Sequence, residues 1–172
     1  MKKKFLQAAL AIVIGASLTG CLKDSSPADG VVETSGEVDV YVVGQNDDDQ
    51  AVYWKNGEMI ELETDGMNWA IAGAIAVSGE DVYIAGRGWY KSDDNIAASY
   101  WKNGRITRLP FLNSSNLFSS ADAIAVSGND VYITGHDGGD AVYWKNGEIE
   151  KLGNEDEKYH GIAVVPRNQD NQ

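Results

Sequence analysis

The chain has 172 residues, with 26 acidic and 14 basic side chains, a formal net charge of −12 and a single cysteine. A length of this order suits one domain, and a single cysteine excludes a framework of internal disulfides. The acidic excess excludes nucleic acid as a partner, because phosphate backbones are bound by clusters of Lys and Arg.

The first 20 residues have the layout of a targeting signal. Three lysines at positions 2–4 precede an apolar run from Phe5 to Ala16, which is shorter than the roughly 20 residues that a membrane span needs. The segment "LTGC" follows and ends in Cys21. This pattern resembles a bacterial lipoprotein signal, which implies that residues 1–20 are removed and that the acylated Cys21 attaches the chain to a membrane. An ordinary secretory signal with a chance cysteine is the alternative.

Residues 21–30 are rich in Ser, Pro, Asp and Gly, which predicts a flexible tether. Leu22 follows the cysteine where some lipoproteins carry an Asp that retains them at the inner membrane, so the resemblance favours the outer membrane. Lys23 and Asp24 resemble part of a surface-export signal. Periplasmic and surface-exposed locations therefore both stay open. The polar tail at 167–172 is expected to be disordered.

Three phrases then recur in a fixed order. "DVYxxG" begins at residues 39, 81 and 130, and "YWKNG" begins at 53, 100 and 143. "AIAVSG" begins at 74 and 123, and a shortened "GIAVV" begins at 161. A period of about 40–50 residues is that of a propeller blade with four strands.

Each repeat predicts four antiparallel strands. "AIAV" is apolar on both sides, "DVYIAG" alternates, and "AVYWK" forms a third strand that ends at an Asn-Gly pair. Asn-Gly is a strong hairpin signal, because both central residues of a type I′ turn have positive φ. The last strand, "EMIEL", "RITRL" or "EIEKL", alternates apolar and charged residues and is expected to face solvent.

The combined pattern resembles bacterial lipoproteins built from β-propeller-like repeats, over residues 31–166. The predicted fold is all-β, with three four-stranded antiparallel blades in a partial, open propeller. Rings usually carry four to eight blades, so an open arc, half of a dimeric ring and a truncated relative of a longer protein all stay open. "VVETSG" at 31–36 is a poor inner strand, and "GIAVVP" at 161–166 is expected to supply a better one.

The recurring aromatic residues are expected to pack between blades. Alternation places the Trp and the Tyr of each "YWKNG" phrase on opposite faces of a sheet. The Lys of each phrase is expected on a solvated turn. The residues are Trp54, Trp101 and Trp144, then Tyr53, Tyr100 and Tyr143, then Lys55, Lys102 and Lys145.

Loops that vary between the repeats are expected to share one rim, and a binding surface is usually built from such loops. Aromatic residues on this rim are the predicted ligand contacts, with packing between blades as the alternative. Two of them, Trp89 and Tyr90, are predicted to be the most exposed pair. The full set is Trp69, Trp89, Tyr90, Phe118 and Tyr159.

Acidic residues on the same rim are candidates for a Ca²⁺ site, because hard cations prefer several carboxylate and carbonyl oxygens. An EF-hand pattern is absent from the sequence, so a solubilising role is the alternative. The candidate ligands are Asp47, Asp49, Asp93, Asp94, Asp137 and Asp140. No catalytic motif is found, and we expect the protein not to be an enzyme.

The sequence therefore predicts a lipid-anchored module of the cell envelope that binds a glycan or another envelope protein through its variable rim. The alternative is a structural subunit that assembles through exposed blade edges. A homodimer is expected if the arc is open.

Overall fold

The computed structural model describes residues 38–64, 66–113, 115–153, 159 and 161–166. The signal peptide at 1–20, Cys21, the tether at 21–30, the inner strand expected at 31–36 and the tail at 167–172 lie outside these residues. The described residues are all-β and form eleven strands in three antiparallel sheets. None of the described segments forms a helix long and apolar enough to cross a membrane.

Each repeat forms one sheet. The first sheet contains β1 (Tyr41–Gln45), β2 (Ala51–Lys55) and β3 (Glu58–Glu61). The middle sheet contains β4 (Met67–Ser78), β5 (Asp81–Tyr90), β6 (Asn95–Lys102) and β7 (Arg105–Arg108). The last sheet contains β8 (Ser119–Ser127), β9 (Asp130–Asp137), β10 (Asp140–Lys145) and β11 (Glu148–Gly153). Neighbouring strands in each sheet are consecutive in the chain, and the sheets are open.

The expected all-β repeat is confirmed, and the middle and last sheets have the expected four strands. The first sheet has three strands among the described residues. The inner strand expected at 161–166 is a wrong prediction, because this segment forms no strand. It is short, it ends at Pro166, and a proline cannot donate a hydrogen bond to a ladder.

Side chains alternate between the two faces of the middle sheet, and both faces are covered. Ile84 and Trp101 lie in a core shared with the first sheet. Tyr83 and Tyr100 pack into a second core, which includes Trp144 of the last sheet. Trp101 and Trp144 are fully buried, so the predicted packing of tryptophans between sheets is confirmed at these two positions.

In each sheet the repeated phrases form the same group of contacts between the Asn-Gly turn and the Asp of "DVYxxG", and we call this group a corner. In the middle sheet, Asn103 and Gly104 have φ values of +51° and +83°, as a type I′ turn requires. The Asn103 side-chain oxygen accepts a hydrogen bond from Val82 N at 2.9 Å, and its amide donates to Asp81 Oδ1 at 2.7 Å. Matching contacts join Asn56 to Asp39 and Asn146 to Asp130.

The side chains of the three lysines are exposed beside the turns, as expected, and they also pair with the aspartates of these corners. Lys102 Nζ lies 3.0 Å from Asp81 Oδ2 and 5.1 Å from the centroid of the Tyr83 ring. The Tyr83 hydroxyl and the Asp81 carboxylate raise the pKa of Lys102 to about 12. The Asn103 amide and the Lys102 ammonium hold the pKa of Asp81 below its ordinary value of 3.8.

The three corners predict a loss of stability in acid. The pKa values of Asp39, Asp81 and Asp130 are all lowered by the folded chain. Their stabilising contribution is therefore complete above the ordinary carboxyl pKa and disappears as the pH falls from about 4 through the lower folded values. We expect urea unfolding midpoints to drop between pH 5 and pH 2.5, and the triple Asp→Asn variant to lose part of this dependence.

The matched control for this prediction is Asp47→Asn, because Asp47 is an exposed loop residue outside the corners. It should keep the pH dependence of the wild-type chain. Identical acid profiles for the wild-type chain and the triple variant would contradict the stabilising role of the corners.

Candidate functional site

The loop between β1 and β2 is held against the first residues of the middle sheet. Asp49 has a positive φ of 58°, and its carbonyl oxygen accepts a hydrogen bond from Ala70 N at 3.2 Å. Gln45 Nε2 donates to Ala70 O at 3.1 Å. A depression of about 260 Å³ lies beside this contact and is lined by Gln45, Asp49, Trp69 and Ile71.

Two of the predicted aromatic residues meet at this place. Trp69 of β4 and Trp89 of β5 are partners in the antiparallel ladder, and side chains of such partners lie next to each other on one face. Both are partly exposed. Trp89 Nε1 donates a 2.7 Å hydrogen bond to Asp94 Oδ1, which holds the indole ring in place.

A third predicted residue extends this pair across the middle sheet. Ile96 of β6 is the ladder partner of Trp89 and also forms a parallel bridge with Phe118. Phe118 is exposed, and the Arg87 guanidinium lies 6.0 Å from its ring centroid. We call Trp69, Trp89, Ile96 and Phe118 the aromatic row.

Tyr90 does not belong to this row, and its predicted exposure is wrong. Its side chain points to the opposite face from Trp89 because neighbouring residues alternate along a strand. The Tyr90 hydroxyl shares a 2.8 Å hydrogen bond with Ser99 Oγ, and the Arg108 guanidinium lies 4.4 Å from the ring centroid. Burial raises the pKa of Tyr90. Tyr159 is half-buried and lies outside the strands.

A chain of polar side chains beside the row was not predicted from the sequence. Arg87 donates to Ser120 Oγ at 3.1 Å, Ser120 Oγ donates to Asp122 Oδ1 at 2.6 Å, and His136 Nδ1 lies 2.7 Å from Asp122 Oδ2. The serine hydroxyl is directed at the aspartate rather than at the histidine, so this is not the arrangement of an activated nucleophile. One signal was available: Arg87 and His136 follow equivalent "DVYxxG" phrases.

The acidic candidates fall into separate local contacts. Asp93 forms a 2.7 Å ion pair with Arg108, which lowers the pKa of Asp93. Asp140 lies 2.7 Å from Lys151 Nζ. Asp94 holds Trp89, as described above.

The other three acidic candidates do not gather into a metal site either. Asp137 is fully buried and accepts hydrogen bonds from Leu112 N and from the Asn116 amide. Asp47 and Asp49 are exposed on the β1–β2 loop. Within the part of the chain that the structure describes, no three acidic, Cys or His side chains are grouped so that they could hold a metal ion. A Ca²⁺ site stays a prediction from the sequence, and this geometry does not add support.

Comparison with known proteins finds no match: no family model, curated protein or solved structure is similar to this chain. Aromatic faces at the edge of a depression, next to amide, carboxylate and guanidinium groups, suit a ligand with apolar faces and many hydroxyls.

Proposed function

We propose that this protein is a binding module of the bacterial cell envelope, lipid-anchored at Cys21, that captures a glycan on the aromatic row. The observation that carries the proposal is the pairing of Trp69 with Trp89, two partly exposed indoles at partner positions of β4 and β5. Sugar rings present apolar C–H faces that can stack on aromatic rings, and their hydroxyls need donors and acceptors nearby. The anchor and the location depend on the resemblance of the N-terminus to a lipoprotein signal.

The charges around the row favour a neutral glycan over an acidic one. The chain carries a formal net charge of −12, which repels anionic ligands at a distance. Gln45 and Asp49 line the depression beside Trp69, and Arg87 lies below Phe118. These three groups can donate to and accept from sugar hydroxyls without a net positive site.

The proposed arrangement of the sheets is that of three blades in an open, partial propeller. In support of it, the middle sheet shares one core with the first sheet and another with the last. The strands that begin each sheet, β1, β4 and β8, also contact one another in order. In such an arrangement the variable loops of all three blades lie on one rim, where the aromatic row is found.

A glycan array tests the proposal, with the full chain carrying Cys21→Ser so that it is not acylated. We expect binding to a subset of neutral glycans, and a loss of at least about tenfold in affinity for Trp69→Ala and for Trp89→Ala, since a tenfold change corresponds to about 1.4 kcal/mol. Trp54→Ala is the matched control, because Trp54 is also partly exposed but lies outside the row. No binding to any glycan, or binding that all three variants keep, would reject the proposal.

The second candidate function is that of an assembly subunit, which uses sheet faces at the ends of the stack. The observation in favour is an apolar face on the first sheet, where Val40, Val42 and Met59 are exposed. Contiguous exposed apolar patches commonly mark sites of protein association.

A further inference from the structure

In the middle and last sheets, one face packs against the preceding sheet. We call this face the receiving face, and the first sheet has a face of equivalent residues. In the middle and last sheets the residues are buried: Ile84 is 1% exposed and Ile133 is 2% exposed. In the first sheet the equivalent Val42 is 52% exposed. The complete sets are Val40, Val42, Trp54 and Met59 in the first sheet, Val82, Ile84, Trp101 and Ile106 in the middle sheet, and Val131, Ile133, Trp144 and Ile149 in the last sheet.

In the first and middle sheets, the opposite face packs against the following sheet. We call this face the covering face, and the last sheet has the equivalent residues. In the first two sheets a leucine just after the last strand is buried by the following sheet: Leu62 is 5% exposed and Leu109 is 1% exposed. The equivalent Leu152 of the last sheet is 48% exposed. The complete sets are Tyr41, Tyr53 and Leu62 in the first sheet, Tyr83, Tyr100 and Leu109 in the middle sheet, and Tyr132, Tyr143 and Leu152 in the last sheet.

The two tyrosines of the last sheet are stacked like the two tyrosines of the first sheet, which pack against the middle sheet. Tyr41 and Tyr53 are stacked with ring centroids 6.5 Å apart, and both pack against the core that contains Trp101. Tyr132 and Tyr143 are stacked in the same way at 6.4 Å. The last sheet therefore offers the same platform to a tryptophan that would follow it.

Each buried tryptophan also forms an equivalent hydrogen bond. Trp101 Nε1 donates to Glu63 O at 2.7 Å, and Trp144 Nε1 donates to Pro110 O at 3.0 Å. Both acceptors directly follow the buried leucine of the preceding sheet. In the last sheet a bulge beside Ala141 places Gly153, rather than Leu152, opposite Ala141, so the match at this end of the covering face holds in the sequence and not in the strand pairing. The third tryptophan of the repeated phrases is Trp54, in the first sheet.

We infer that two copies of this chain associate head to tail, so that the receiving face of the first sheet in one copy packs on the covering face of the last sheet in the other. The partner is a second copy because the chain itself carries the face that fits, with Tyr132 and Tyr143 stacked as Tyr41 and Tyr53 are where they pack against the core that contains Trp101. This inference rests on the second candidate function and is independent of the aromatic row. A head-to-tail contact is heterologous, so two copies close into a ring if the rotation allows it and otherwise form longer chains.

The receiving face of the first sheet also has room for such a partner. A cavity of about 420 Å³ opens beside Trp54 and Met59 and is bordered by the β1–β2 loop and Glu61. An added sheet would fill this space with its two tyrosine rings, in the manner of the two interfaces within the chain.

Sedimentation velocity over a range of concentrations tests the inference, with the full chain carrying Cys21→Ser to exclude association through acyl chains. We expect this chain to form dimers or larger species. Val42→Lys blocks the receiving face and Leu152→Lys blocks the covering face, so each variant alone should be a monomer. Both positions are about half-exposed, and the monomer fold should accept a lysine at either.

Mixing the two blocked variants gives the sharpest result. The Val42→Lys chain keeps its covering face and the Leu152→Lys chain keeps its receiving face, so the mixture should form a 1:1 complex that neither variant forms alone. Leu117→Lys, an exposed position outside both faces, should associate like the unblocked chain.

Three results would overturn the inference: a monomeric unblocked chain at every concentration, association that survives Leu152→Lys, or a mixture that stays monomeric. The second candidate function has a separate readout, which is whether Trp54→Glu changes the cofractionation of the chain with other envelope proteins. A monomeric chain refutes self-association whatever the result of that experiment. Glycan binding through the aromatic row should be the same in all of these variants.

Discussion

Replacing Trp101 by Ala is expected to lower the free energy of unfolding by about 3–5 kcal/mol, the usual range for removing a large aromatic side chain from a core. The same change at Trp54 should lower it by about 1 kcal/mol, since a partly exposed side chain loses less buried area. The two residues occupy equivalent positions in the repeat, but Trp101 is fully buried and Trp54 is partly exposed. Urea denaturation of dilute protein measures both, because association at higher concentration would add stability to the wild-type chain.

Trp144→Ala is the matched control for this comparison, because Trp144 is also fully buried and donates to a carbonyl of the preceding sheet. Its loss of stability should be similar to that of Trp101→Ala. Equal losses for all three variants would mean that the receiving face of the first sheet is covered as completely as the other two, and the predicted asymmetry would be wrong.

The strands and tight turns of this protein could be predicted from the sequence because both depend on short-range rules. Alternation along "DVYxxG" and "YWKNG" fixes which side chains share a face. The three Asn-Gly pairs adopt positive φ at both residues, with Asn56 at +52° and Gly57 at +85°. The three copies of these signals agree with one another, which makes the prediction of the repeat firm.

The corners were harder to predict although all of their residues belong to the repeated phrases. Asp81 and Asn103 are 22 positions apart in the chain, and only the pairing of β5 with the hairpin at the end of β6 brings them together. The recurrence of Asp, Lys and Asn at fixed places in three copies was the available signal. From the sequence this recurrence indicates turn chemistry alone, because it does not give the register between the strands.

Side-chain contacts between elements could not be predicted around the aromatic row. Asp122 meets Ser120 and His136 next to a bulge between Ala121 and Ala123, and a bulge changes the direction of side chains that simple alternation would predict. The exposure of Tyr90 is predicted wrongly because the sequence places this residue in a long loop, whereas it is the last residue of β5. The position of an acidic residue in a loop does not predict its contacts: four of the six candidates each contact a different group, and the other two are exposed.

Replacing Gly86 by Ala is expected to lower the free energy of unfolding by about 3 kcal/mol or more, which is at or above the upper end for overpacking in a core. A Cβ on Gly86 would overlap the Ile71 carbonyl oxygen and come within 3.2 Å of Ala72 Cα. Both atoms are backbone, so no side chain can move aside. Thermal unfolding followed by far-UV circular dichroism measures the effect, and Gly135→Ala should behave alike because its Cβ would overlap the Ser120 carbonyl oxygen.

Gly44→Ala is the control that separates this clash from a general loss of glycine in a strand. Gly44 is the equivalent residue of the first sheet, where a Cβ would meet only the Trp54 ring at 3.3 Å, and a partly exposed ring can shift. Gly86 pairs with Ala72 beside a bulge in β4, and Gly135 pairs with Ala121 beside a bulge in β8. Among the described residues, β1 pairs with β2 alone and has no such strand on its other side. The stability of Gly44→Ala should therefore stay within about 1 kcal/mol of the wild-type chain. If Gly44→Ala lowered the free energy of unfolding as much as Gly86→Ala, another strand would have to lie against Gly44 as well.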